Sequence, residues 1–105
     1  MGKRALTAAE KAAREKLKRE VGERLRLVRQ VLDLGQGEFA RRAKLEPNTY
    51  NQIENGEKMP SIETAIALCE AHRITLDWIF RAEPGDMNVR LFDGIRALQA
   101  ARHDN

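Results

Sequence analysis

Asn48, Thr49, Asn51 and Gln52 form a run of short, uncharged polar side chains. Only Gln52 among them is a strong helix former. Pro47 stands just before them, where its missing N–H costs nothing at a first helical position. Asn55-Gly56 follows, the pair that best tolerates a left-handed helix end. A helix starting at Pro47 turns Tyr50 and Ile53 inward and leaves the four polar residues outward. A carboxamide offers an acceptor and a donor side by side, the complement of N7 and N6 on the major-groove edge of adenine. The same side chains are also ordinary solvated surface unless a framework behind them sets their height, so the neighbouring elements decide between the two.

Other reactive residues are sparse. Cys69 and His72 stand three apart on one helical stretch, half of a metal site. With a single Cys and only His103 besides, no full ligand set is expected, and Cys69 reads as core with His72 at the periphery. Glu38, Glu54 and Glu57 lack a partner nucleophile, so no catalytic constellation and no cofactor site is expected. Trp78 and Phe80 are expected to close a small core.

The elements around the polar run read as helices, with no stretch of period two. Residues 7–33 form the first, with Thr7 and Glu10 as a capping box. Its early half is rich in Ala, Lys, Arg and Glu. Packing begins near Val21, from which Leu25, Val28 and Leu32 recur at helical spacing, and Gly22 marks a possible kink. A second helix starts after Gly35, with Leu34 and Phe39 as a hydrophobic staple, Glu38 as half a capping box, and Phe39, Ala40 and Ala43 inward. Lys44-Leu45-Glu46 is the turn into the helix at Pro47. Ser61 caps a fourth helix that buries Ile62, Ala65, Ile66, Leu68 and Cys69. Thr75 caps a short fifth over 76–80. After Glu83-Pro84-Gly85-Asp86, an amphipathic helix from about Asn88 to Ala101 carries Val89, Phe92, Ile95 and Leu98 on one face. That face is expected to pack on the first helix or, preferentially, on a second copy of the chain.

The 105 residues suit one compact unit with extensions. Three parts are expected: a basic helical extension over 1–20, a packed domain over 21–82, and a linker with a terminal helix over 83–105. The net charge of +3 hides a split. Residues 1–45 carry 13 Lys/Arg against 6 Asp/Glu, and residues 46–105 carry 6 against 10. A polyanion responds to that local field rather than to the average. The basic run Lys11, Arg14, Lys16, Lys18 and Arg19 is interleaved with Glu10, Glu15 and Glu20, so it fits a solvated helix and a phosphate-binding one equally. The absence of a long apolar run and of a secretory-type N-terminus, together with the lone Cys69, points to the cytoplasm and away from membranes.

Two short helices joined by a tight turn, with small Ala40 and Ala43 between them and Leu45 in the angle, have the form of a helix-turn-helix. The residues Gln36-Gly37-Glu38-Phe39-Ala40, Thr49 to Gly56, Pro60-Ser61 and Thr75 to Ile79 occur in an order and spacing that resembles the lambda-repressor-like (XRE/Cro-type) helix-turn-helix family. The resemblance covers about sixty residues. It implies an all-α fold: a five-helix domain, here with an extended basic N-terminal helix and a C-terminal amphipathic helix. It also implies binding of double-stranded operator DNA, usually as a homodimer on a palindromic site. Carried over, it sets Pro47, Asn48, Asn51 and Gln52 toward bases, and Gln36, Lys44, Thr49, Asn55 and Lys58 toward phosphates. Glu54 matches a structural position. Gly35 replaces the usual Ser/Thr cap, Lys44 and Arg73 replace turn glycines, and no Arg or Lys stands on the reading helix, which favours adenine-containing sites.

The expected function is therefore a sequence-specific transcriptional regulator, most simply a repressor, and not an enzyme. The alternative is an antitoxin or phage-type adaptor that holds a protein partner through the 88–101 helix and keeps DNA binding for autoregulation.

Overall fold

A computed structural model describes residues 5–103. The expectations that touch residues 1–4, residues 104–105 and the side chain of His103 lie outside the described residues. Six helices run in order: α1 (Ala8–Val31), α2 (Gln36–Arg42), α3 (Pro47–Glu54), α4 (Ile62–His72), α5 (Leu76–Arg81) and α6 (Val89–His103). The architecture is all-α, with α1–α5 forming the five-helix unit and α6 added to it; no strand occurs among the described residues.

The basic extension and the first packed helix are one element. Thr7 caps α1 with both halves of a capping box: its hydroxyl accepts from the Glu10 amide at 3.1 Å, and its own amide donates to the Glu10 carboxylate at 2.9 Å. The helix then runs unbroken through Gly22, which makes no kink. The glycine serves a close approach instead. A Cβ there would stand 2.4 Å from the Glu54 carbonyl oxygen.

Val21, Leu25 and Val28 of α1, Phe39 and Ala40 of α2, Tyr50 and Ile53 of α3, Leu68 of α4, Ile79 of α5 and Ile95 of α6 are sealed in one core. Their apolar burial is the main drive for the fold. Two bonds clamp α5 to α1: the Arg24 guanidinium donates to the Ile79 carbonyl at 2.9 Å, and the Trp78 indole donates to the Arg24 carbonyl at 3.4 Å. Trp78 meets Phe92 of α6 edge-on at 6.2 Å. Thr75 caps α5 through the Trp78 amide, and Ser61 caps α4 through the Thr64 amide.

Three further expectations, on burial, need correction. Helix α4 turns Ala65, Leu68 and His72 inward, while Ile62 is 72% exposed and Ile66 41%. Ile66 lies about 100° around the axis from Ala65, and Ile62 lies in the first turn. His72 is not peripheral. It is 5% exposed, its ring stacks on Phe39 with centroids 3.7 Å apart, and its Nε2 donates to the Phe39 carbonyl at 2.9 Å. A neutral imidazole can be buried this way because a carbonyl takes its one proton. Finally, α6 is capped by the Asn88 side chain and buries Leu91 and Ile95, with Phe92 and Leu98 half-buried, but Val89 in its first turn is 72% exposed. The stripe is covered by α1 of the same chain: Gly94 lies against Val31, and Arg102 pairs with Glu23. The surface set aside for a partner protein or a second copy is thus largely used inside the chain.

Candidate functional site

The site is built on α2, α3 and the turn between them. Gly35 precedes α2 without a side-chain cap, and Glu38 does not close a capping box. It pairs instead with Arg42 at 3.1 Å and Arg41 at 3.7 Å. Small Ala40 and Ala43, both buried, let α3 come close. The turn needs a left-handed residue, and Lys44 supplies it with φ 59°. The Leu45 amide then bonds back to the Ala40 carbonyl at 2.9 Å, and the Leu45 side chain rests half-buried against the core.

Pro47 opens α3 behind an extended Glu46. The helix ends in a paired closure. The Gly56 amide donates to the Ile53 carbonyl at 3.1 Å and the Glu57 amide to the Gln52 carbonyl at 2.9 Å. That pattern requires a left-handed residue just past the cap. Gly56 takes it with φ 77°, whereas Asn55 stays right-handed at φ −80° as the cap.

Glu54 is the anchor. Its carboxylate is 1% exposed and accepts from Arg29 at 2.7 and 2.9 Å, from Arg26 at 3.3 Å and from the Gln36 amide at 3.1 Å. Burial alone pushes such a carboxyl upward, but the bonds from Arg29 and Gln36 outweigh it and hold Glu54 below its usual value. Arg29 also donates to the Leu34 carbonyl at 3.0 Å, tying in the chain just before α2.

The carboxylate sets a direction. An ionised carboxylate only accepts, so Gln36 must turn its Nε2 to Glu54 and its Oε1 outward. That oxygen accepts from Asn51 Nδ2 at 2.9 Å, and Asn51 Oδ1 in turn accepts from Asn55 Nδ2 at 3.2 Å. Three amides that could each be flipped are thereby fixed in one sense. Asn51 keeps one N–H and one lone pair for a further partner.

The expected site residues divide accordingly. Gln36, Asn51 and Asn55 are brought together in this chain of bonds. Pro47, Asn48, Lys44 and Lys58 are exposed, and Thr49 and Gln52 are half-buried. None of the side chains of Asn48, Thr49, Gln52, Lys44 or Lys58 makes a hydrogen bond or ion pair among the described residues. Sequence reasoning missed Arg26 and Arg29. They lie 28 and 25 residues from Glu54, so no local spacing links them. The available hints were the structural position that Glu54 matches and its place as an acid on a helix whose other inward residues are Tyr50 and Ile53.

Cys69 is half-buried, and burial, then Glu70, pushes its thiol up to about 11. Among the described residues, no three or more His, Cys, Asp or Glu side chains gather to hold a metal ion. Nor is any helix there long and apolar enough to cross a membrane.

A family model described as a helix-turn-helix domain matches residues 22–83, from the glycine of the α1–α3 crossing to just past α5. No curated protein and no solved structure matches the chain.

Proposed function

Because the chain belongs to the helix-turn-helix domain family, we propose that it is a cytoplasmic, sequence-specific DNA-binding regulator that inserts the start of α3 into the major groove. Pro47, Asn48, Asn51 and Gln52 face base edges. Lys44, Thr49, Asn55 and Lys58 grip phosphates on either side, and Gln36, whose outward oxygen only accepts, reaches one through its second Nε2 hydrogen. Phosphate contacts set position and base contacts set sequence. A homodimer on a palindromic operator is the natural arrangement, since two-fold proteins match two-fold sites. Repression by occupying the site is the simplest mode of action.

One observation carries this reading. The Asn48 and Gln52 side chains have no hydrogen-bond or ion-pair partner among the described residues, while Asn51 beside them is held in a fixed sense by Gln36 and Glu54. A plain surface helix has no need of a buried carboxylate that orients its outer amides. Preset donors and acceptors lose less freedom when they meet a base pair.

Selection of bound sequences from a random duplex pool is the test. The expected result is an enriched half-site containing adenine, with binding that weakens as salt rises. Recovery of unenriched sequence by a folded protein would overturn the assignment.

A further inference from the structure

The outer half of α1 carries a charge asymmetry not used above. Gly22 faces the end of α3. At about 100° per residue, Lys11, Arg14, Lys18 and Arg19 all fall within about 80° of the Gly22 direction, with Glu15 as the lone acid among them. Lys16, Glu10 and Glu20 fall on the other side. The pairing follows that division. Lys18 is bound to Glu15 at 2.9 Å and Lys16 leans toward Glu20 at 4.0 Å, but Lys11, Arg14 and Arg19 make no ion pair or hydrogen bond among the described residues. All three are exposed.

The position of this face is fixed. A Cβ added to Gly56 would lie 3.1 Å from both Cα and Cγ of Arg19. The outer half of α1 therefore leaves the core directly beside the loop that carries Asn55 and Lys58. From Gly22 back to Lys11 it advances about 16 Å, at 1.5 Å per residue, roughly the axial length of half a turn of duplex.

We propose that residues 8–19 form a second phosphate-binding surface, in which Lys11, Arg14 and Arg19 continue the contact of the Asn55–Lys58 loop along the DNA backbone beyond α3. The proposal rests on the DNA-binding reading above. Lys11, Arg14 and Arg19 outnumber Glu15, which Arg14 and Arg19 flank and Lys18 already binds, so the α3 side stays net positive and suits a polyanion. The acids on the far side keep the helix from being attracted to DNA in an arbitrary orientation.

The experiment measures affinity for a random-sequence duplex against salt, for the full chain and two variants. One carries Lys11→Gln, Arg14→Gln and Arg19→Gln; the other carries Lys16→Gln alone, on the far face. Gln is a good helix former and keeps the Cγ that packs at Gly56, and circular dichroism checks that α1 persists. The triple variant is expected to reduce the slope of log affinity against log salt by about 2 to 3, near 0.9 per lost phosphate contact. The Lys16 variant should leave the slope unchanged. A triple variant that keeps the wild-type slope overturns the proposal while the DNA reading stands. An equal loss per charge from Lys16 overturns the face-specific placement. A wild-type protein that does not bind the duplex at all overturns the underlying reading, and this surface with it.

Discussion

Gly22 of α1 and Glu54 of α3 meet backbone to backbone. A Cβ built on Gly22 would stand 2.4 Å from the Glu54 carbonyl oxygen and 2.7 Å from that of Ile53. Arg26 and Arg29, one and two turns further along the same face of α1, hold the Glu54 side chain. Both the main chain and the carboxylate of one α3 residue are therefore located by α1. The height of the reading helix depends on this crossing more than on α3's own eight residues, which are too short to be stable alone.

Gly22→Ala tests the crossing. In an open helix the change would stabilise by about 1 kcal/mol. Here the new methyl meets backbone on a second helix, which cannot rotate away, and overpacking of that kind costs about 1–3 kcal/mol or more. The expected net result is destabilisation of about 2 kcal/mol in urea denaturation, with weaker duplex binding. An Ala variant as stable as wild type would mean the helices separate without penalty.

Glu54→Gln keeps the shape and removes the charge. Arg29 and Arg26 lose their buried counter-ion, and stability should fall by about 2–3 kcal/mol. A carboxamide can also donate, so the sense of the Gln36 and Asn51 amides is no longer imposed. Discrimination between cognate and scrambled duplex should narrow beyond what lost stability explains. The acid side supplies a second readout. Because Glu54 is held below its usual 4.5 in the folded chain, its contribution is complete above that pH and is lost as pH falls through the folded value. Acid unfolding should therefore be shallower in the Gln variant than in wild type.

Much of this framework could be read in the sequence because it rests on local signals. Thr7, Ser61 and Thr75 cap their helices through hydrogen bonds to residues three further on, Pro47 starts α3, and Tyr50 and Ile53 point inward from helical spacing alone. Gly22 could not be read correctly. A glycine in a helical run looks like a break, and only a second helix 32 residues on shows that it is a contact. Glu54 matches a structural position of the family, but its partners Arg26 and Arg29 were hidden for the same reason. Ile62, Ile66 and Val89 were misplaced because apolar periodicity does not reveal where the neighbouring helices stop. His72 was misjudged because its partners, the Phe39 ring and carbonyl, are 33 residues away.

His72 gives the fold a dependence on mildly acidic pH. Burial first, then the nearby Arg42, holds it below the ordinary 6.5, against the opposing pull of the Phe39 carbonyl. The unfolded chain therefore takes up a proton before the folded one does. The contribution of His72 is fully present above 6.5 and is lost as pH falls toward the folded value, at no more than about 1.4 kcal/mol per pH unit. Melting temperatures followed from pH 7.5 to 5 should decline more steeply for wild type than for His72→Gln. Parallel curves would show that the ring accepts its second proton without disturbing the Phe39 stack.

Gln52 and Lys58 allow the two kinds of DNA contact to be separated. Neither side chain has a hydrogen-bond or ion-pair partner among the described residues, and the main chain joins them: the Lys58 amide lies 3.3 Å from the Gln52 carbonyl. They differ in chemistry. A carboxamide can match a base edge, so Gln52→Ala should cost about 1–3 kcal/mol at the selected site and little on scrambled duplex, leaving the salt slope unchanged. An ammonium group only neutralises phosphate, so Lys58→Ala should weaken both duplexes alike and lower the slope by about one. Neither change touches the core, and both variants should melt with wild type. If instead Lys58→Ala altered sequence preference while Gln52→Ala altered only the salt slope, the groove would lie against the loop and not against the start of α3.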